Sequence, residues 1–449
     1  MTTQRQAFML AATNSGAGKT TITLGLLAAL RQQGASVQPF KCGPDFIDPT
    51  LHQMVSGRVS RNLDLRMCGE TVVSNCFHRH GTDADIAIIE GVMGLFDGGA
   101  ACPAALAKTL KLPVLLVVDA KACAESIAAV VKGFETLDPE LRLMGVILNR
   151  VGSARHLELL SGAIRSHCHT PLLGHLPRNP DFVIPDRHLG LMMGDESPLS
   201  AAQINALADA VTQNIDLAAI QRLALIEDPA EIPSVSTPTD PHKVRIGIAR
   251  DQAFCFYYQD NLDLLNQSGA MLVPFSPIND QTLPPDLDAL YLGGGYPELH
   301  AKSLSENQTM LAEIRAWSEA GRPIYAECGG FLYLCQGITD LAGDFWDFAA
   351  LFPVRARMRQ RLTSLGYREA TITQPCLLGT QGTLYGHEFH YSEIDEMPPA
   401  ITRAFQLQDG RSEGYQIRNT LGGYLHLHFG QTPEAAQSLI TLCREGKTQ

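Results

Sequence analysis

The sequence has no apolar run of membrane-spanning length, no basic cluster, no CxxC pair, no internal repeat and no low-complexity tract. Each absence removes a class of protein. The apolar run Pro113–Val118 has the length of a buried strand and falls far short of a bilayer span, so no membrane association is expected. The first residues lack the shape of a secretory leader, because the short apolar stretch Ala7–Ala12 runs straight into a glycine-rich turn. A net charge of −12 with scattered Lys and Arg argues against a nucleic-acid partner, although a local basic pocket for a small anion remains compatible with it. The 11 cysteines are odd in number and unpaired in spacing, which fits a reducing cytoplasm better than a disulfide framework.

What is present is the balance of a compact enzyme: 45% hydrophobic and 18% charged residues over 449 positions, too many for one ordinary core. Near-continuous apolar segments at Phe8–Ala12, Ile86–Glu90, Val114–Asp119 and Met144–Asn149 read as parallel strands buried on both faces. Amphipathic stretches such as Thr20–Gln33 and Glu125–Thr136 lie between them, which predicts a doubly wound α/β domain. Asp228–His242 is rich in Pro, Ser and Thr and reads as a linker. Beyond it, Val244–Ala249, Met271–Phe275, Ala289–Gly293 and Pro323–Ala326 begin a second set of strands with a more β-rich end. The expected division is 1–195, a connecting segment 196–242, and 243–449.

The segment Thr13-Asn14-Ser15-Gly16-Ala17-Gly18-Lys19-Thr20-Thr21 sits between a predicted strand and a predicted helix, the setting a phosphate loop requires. Backbone N–H groups and the helix N-terminus would cradle phosphate oxygens, Lys19 would add charge, and the Thr20 hydroxyl would meet Mg²⁺. Thr13 stands where the standard spacing has glycine, so the motif is a variant. Two further segments supply carboxylates: Lys41 to Asp48 (KCGPDFID) and Glu90 at the end of IIEG. Thr20, Asp45 and Glu90 form a hard oxygen set suited to Mg²⁺. The bland reading, in which carboxylates merely cap turns, applies more to Asp48 and Asp64 than to Glu90.

In the second half, Ala326-Glu327-Cys328-Gly329-Gly330 places a cysteine at a strand-to-helix turn. Such an elbow exposes a nucleophile, and the adjoining N–H groups are expected to lower the thiol pKa. Gly293-Gly294-Gly295 could bring N–H groups to a developing oxyanion. In YLHLHF, alternation puts His426 and His428 on one strand face, either one a candidate base for Cys328. A zinc site there lacks further ligands at characteristic spacing, and HEFH at 387–390 is not the HExxH pattern.

KCGPDFIDP, SRNLDLRM, IIEGVMGLFDG, GVILNRVGSARH, LPRNPDFVIPDRHLGL, ARDQAFCFYYQDNLDLL, YLGGGYPELHA, AECGGFLYL, GHEFHYSE and YLHLHF together resemble the cobyrinate and hydrogenobyrinate a,c-diamide synthases over essentially the whole chain. The resemblance implies a P-loop domain similar to dethiobiotin synthetase and a class I (triad) glutamine amidotransferase domain. It also implies ATP, Mg²⁺, glutamine and a tetrapyrrole bearing acetate side chains, and it allows a homodimer. Cys328 matches the family's nucleophile and His426 its histidine. Asn149 resembles the nucleotide-base contact, and Lys41, Asp48, Asn62 and Asp64 fall in segments implied to meet phosphate or acceptor. Three departures stand out. His428 occupies the place where many related glutaminases carry a glutamate, Ala12 stands where the family often has glycine, and the loop Gly98–Ala105 is short. The last bears on the acceptor, so siroheme or sirohydrochlorin is the alternative substrate.

Two other classes compete. A partition-type switch ATPase would carry a signature lysine at position 14, where this chain has Asn14, and would lack the AECGG domain. A scaffold with a dead glutaminase differs from an enzyme in a glutamine hydrolysis assay.

Overall fold

The computed structural model describes residues 4–446 except 185, 188–189, 192, 194–198 and 228–242; the expected linker lies outside the described residues. The chain divides into two compact units, Met1–Ser234 and Val235–Gln449.

In the first unit, strands β1 (Gln4–Ala12), β2 (Val37–Cys42), β3 (Arg61–Leu63), β4 (Ile86–Glu90), β5 (Val114–Asp119), β6 (Leu143–Val151) and β7 (Leu172–Pro177) form one sheet in the order β3-β2-β4-β1-β5-β6-β7. All of these pairings are parallel. The central strands β1, β4 and β5 are buried nearly throughout, which explains why their sequences are continuous apolar runs rather than alternating ones. Strand β2 is also buried, although Gln38, Pro39 and Lys41 obscure its pattern. The Gln38 amide is satisfied by the carbonyls of Pro39 and Val59, so its burial leaves no donor stranded.

Helix α1 (Lys19–Gln32) follows β1 through the glycine turn and packs on α2 (Asp48–Ser56). Residues 201–227, within the segment expected to connect the domains, fold onto this unit. Helix Ala201–Asn214 packs on α1, and Leu225–Glu227 pairs antiparallel with β1. The apolar residues Leu207, Ala208 and Val211 on that helix enter the same core as Ile22 and Leu26, which polar flanking sequence conceals.

In the second unit, strands Ala270–Phe275, Val244–Ala249, Ala289–Leu292, Ile324–Glu327 and Thr420–Gly423 run in that spatial order with parallel pairings. The sheet continues through antiparallel neighbours to Thr383–His390 and the short strand His426–His428. This places the ends of Ile324–Glu327 and Thr420–Gly423 side by side, with Glu327 opposite Gly423. All eleven cysteines are free thiols. Among the described residues no helix is long and apolar enough to cross a membrane.

Candidate active sites

In the first unit the phosphate loop, the ends of β2 and β4 and the start of α2 line one cavity of about 980 Å³. It contains Ser15, Gly16, Gly18, Lys19, Thr20 and Thr21 together with Lys41, Asp45, Asp48, Glu90 and Asn149. Gly18 is left-handed (φ 93°), and a Cβ there would lie 2.0 Å from Nδ2 of Asn149. That amide donates to the Ala17 carbonyl at 2.9 Å, so Asn149 braces the loop from behind. The Lys19 ammonium donates to the carbonyl of Met93, a residue with φ 48°, and its burial lowers the ammonium pKa.

Lys41 is the hub of the cavity floor. Its ammonium contacts the Asp48 carboxylate, Glu90 Oε1 at 3.1 Å and Asp45 Oδ2 at 3.5 Å. Thr20 Oγ1 donates to Glu90 Oε1 at 2.9 Å and reaches Asp48 at 3.5 Å. Three carboxylates crowd around the Lys41 ammonium in a buried place, with the Lys19 ammonium near enough to interact with Glu90 and Asp48. Burial, with Asp45 and Glu90 adding to it, pushes the Asp48 carboxyl well above its ordinary range. Burial acts the same way on Glu90, yet Lys41 and the His52 hydrogen bond hold it well below that range. Hard oxygens from Thr20, Asp45, Asp48 and Glu90 are the donor chemistry that suits a hard divalent cation.

Other expected residues serve the frame. Asn62 donates to the carbonyls of Gly43 at 2.9 Å and Asp45 at 2.7 Å, fixing the turn after β2. Asp64 accepts from the N–H groups of Arg66 and Met67, capping the helix Leu65–Gly81. Thr13 bonds Asn14 at 2.8 Å, and Asn14 bonds the Ser15 carbonyl at 2.6 Å. His52 escaped the sequence reading although it is fully buried and bonds Glu90 Oε2 at 2.8 Å. Its position one helical turn after Asp48 was the available signal.

In the second unit Cys328 caps the helix Gly329–Leu334 with φ 44° and ψ −104°, a strained non-glycine conformation costing roughly 1–3 kcal/mol. The strain is held by packing. The Cys328 N–H donates to the Gly423 carbonyl at 2.7 Å and the Gly330 N–H to Gly293 at 2.9 Å. A Cβ on Gly330 would lie 2.2 Å from the Leu292 carbonyl oxygen, so only glycine lets the elbow approach that strand. The Gly293–Gly295 loop also borders the histidine strand, since a Cβ on Gly294 would lie 2.4 Å from His426 Cε1.

The expected lowering of the thiol pKa does not hold. Burial, reinforced by Glu298, raises the Cys328 thiol, and the hydrogen bond from the Gly329 N–H offsets only part of this. His426 is likewise buried, and burial with neighbouring His387 and His390 holds it neutral. His387 stacks on it with centroids 5.0 Å apart. Glu327, the residue before Cys328, presents Oε2 at 4.0 Å from His426 Nδ1. His428 instead meets Tyr258 at 4.9 Å between rings, Asp260 at 3.8 Å and the Gly430 N–H at 3.1 Å.

Residues 8–191 match a family described as the CobQ/CobB/MinD/ParA nucleotide binding domain, and residues 245–434 match the CobB/CobQ-like glutamine amidotransferase domain. The chain is 42% identical to a cobyrinate a,c-diamide synthase of Salmonella typhimurium, with 99% of each chain covered. It is 46% identical to that of Syntrophotalea carbinolica (97% of this chain, 98% of the relative) and 44% identical to that of a Synechococcus species (98% of both). The chain belongs to the cobyrinate a,c-diamide synthase family. It is an ATP-dependent glutamine amidotransferase ligase of α/β fold. Of its departures from the family pattern, the short loop forms a 3-10 turn at Gly99–Ala101 and a helix Pro103–Thr109. The segment LPRNPDFVIPDRHLGL lies partly outside the described residues.

Proposed function

We propose that this chain amidates the a and c acetate carboxylates of cobyrinate, using ATP to activate each carboxylate and glutamine as nitrogen donor. The observation that carries the reading is that one chain holds a phosphate-loop cavity with a lysine–carboxylate floor and, separately, a cysteine elbow packed on a glycine loop that also borders a buried histidine. Residues 1–195 carry the synthetase role and 243–449 the glutaminase role.

In the glutaminase half the Cys328 sulfur attacks the side-chain carbonyl carbon of glutamine. His426 accepts the thiol proton and delivers it to the departing ammonia, leaving a thioester that water hydrolyses to glutamate. N–H groups of Gly294 and Gly295 stabilise the oxyanion. Because burial favours the neutral thiol and the neutral imidazole, the proton moves when substrate is in place rather than in the resting site. Glu327 orients His426, the role that a glutamate at position 428 would otherwise take.

In the synthetase half the loop 13–21 binds the ATP phosphates, with Asn149 bracing it. Lys19 and Lys41 neutralise charge as the γ-phosphoryl passes to an acceptor carboxylate, and ammonia then displaces phosphate from the acyl phosphate to give the amide. Thr20, Asp45 and Glu90 would hold Mg²⁺, which supplies further charge neutralisation on the phosphates. A homodimer and a cytoplasmic setting belong to the same reading and rest on the family resemblance.

The test is product analysis by mass spectrometry after incubation with ATP, Mg²⁺ and glutamine. Two amidations of cobyrinate are expected. No change on cobyrinate alongside amidation of siroheme or sirohydrochlorin would transfer the assignment to that ring.

A further inference from the structure

A second cavity, of about 640 Å³, lies in the glutaminase unit and is lined by Ser364, Arg368, Glu388, His390, Arg411 and Tyr424 among others. Its polar centre is built rather than incidental. The Glu388 carboxylate is 1% exposed and accepts from Arg368 Nε at 2.7 Å, from Arg411 Nη2 at 2.9 Å and Nη1 at 3.2 Å, and from Ser364 Oγ at 2.7 Å. The buried carboxylate holds Arg411 through two nitrogens and Arg368 through Nε, which helps fix both guanidinium planes. Arg368 spends its other nitrogens on the Tyr367 carbonyl and Ser364 Oγ, and each terminal nitrogen carries a second proton. Arg411 is half-exposed on the cavity wall and also leans on Asp409.

Tyr424 ties the cavity to the strand end that holds Cys328. Tyr424 lines it and follows Gly423, whose carbonyl receives the Cys328 N–H at 2.7 Å. The Tyr424 ring also meets Phe331, three residues beyond Cys328, edge-on with centroids 5.6 Å apart, and stacks on His390 at 3.7 Å. Glu388 is near enough for its charge to act on the Cys328 thiol. Asp409 and the half-exposed Glu393 place further carboxylates on the same walls, paired with Arg411 and Arg359 respectively. A cavity with fixed guanidinium donors on one side and acids on the others complements a zwitterion.

We propose that this cavity holds the α-amino acid head of glutamine, its α-carboxylate on the guanidinium groups of Arg368 and Arg411 and its carboxamide extending to Cys328. Glu388 is then a positioning residue for the arginines. This inference rests on the amidotransferase reading above and adds the specificity-determining contacts for the nitrogen donor.

The experiment is steady-state hydrolysis by the full chain of L-glutamine and of 4-aminobutanamide, which is glutamine without its α-carboxylate. In the wild type the analogue should have a kcat/KM lower by roughly 100-fold, the scale of a lost charged hydrogen-bonded partner. Arg411→Met should raise the glutamine KM with little change in kcat, bringing the two substrates together to within a few-fold. Arg411→Lys should recover part of the preference. Ammonia-supported amidation, which bypasses this cavity, reports that the variant is folded. A gap between the two substrates that Arg411→Met leaves unchanged overturns the proposal. A wild-type chain that hydrolyses no glutamine overturns the amidotransferase reading instead, so the two failures are distinct.

Discussion

Nδ1 of His426 lies 4.0 Å from Oε2 of Glu327, the residue immediately before Cys328. The same carboxylate accepts from Tyr325 at 2.5 Å, from Tyr291 at 3.2 Å and from the N–H of Leu427 at 3.2 Å, and burial pushes it up to about 7. It therefore clamps the strand bearing the histidine to the strand that leads into Cys328, and sits where it can stabilise an imidazolium. Glu327→Gln should lower glutamine hydrolysis roughly 100-fold and shift its pH profile, the scale of impaired general base catalysis. His426→Ala should do at least as much, and His428→Ala less. Comparable activity in Glu327→Gln and wild type across the pH range would leave the histidine without this partner.

Cys328→Ala removes the proposed nucleophile but leaves the synthetase cavity intact. Amidation supported by glutamine should disappear, while amidation supported by ammonium salts should stay near the wild-type rate. Equal loss with both donors, measured as amide formed per ATP consumed, would exclude Cys328 as the glutaminase nucleophile.

Glu90 is fully buried and shared by Thr20, Lys41 and His52. Glu90→Gln keeps its size and some hydrogen bonding but removes its charge, so metal-assisted phosphoryl transfer should fall by roughly 100-fold or more with either nitrogen donor. Glutamine hydrolysis in the other unit should persist. Normal ammonia-supported amidation in this variant would take Glu90 out of the site.

Burial pushes the Glu413 carboxyl up to about 7, against the N–H groups of Tyr424 and Gly414 that favour its ionised form. The unfolded chain ionises this group near about 4.3, so between those values the folded chain holds the extra proton. Its contribution is fully present below the unfolded pKa and is lost as pH rises through 7. Unfolding free energy of wild type relative to Glu413→Gln should therefore fall by on the order of 3 kcal/mol from about pH 4 to about pH 8. Denaturant titrations at several pH values check it, and a difference that rises with pH would contradict the assignment.

The phosphate loop, the acid ending β4, the cysteine elbow and the histidine strand were all readable in the sequence. Their geometry is set by neighbours a few residues away: a glycine that admits a left-handed backbone, a strand that stops, a helix that starts. The parallel strands were readable for the same reason, since burial on both faces writes an apolar run. Strand β2 and helix Ala201–Asn214 were not, because their polar residues are satisfied or exposed by partners distant in sequence. Tertiary structure alone set His426 beside the glycine loop and Glu327 while His428 faces Tyr258 and Asp260, and made Asn62 and Asp64 brace backbone turns. It also decided the charge states. An elbow motif by itself favours a thiolate, but the desolvation that raises the Cys328 thiol and splits Asp48 from Glu90 depends on what the rest of the chain packs around them. Residue type and spacing determined which groups are available for the chemistry; burial and long-range approach determined their protonation and their partners.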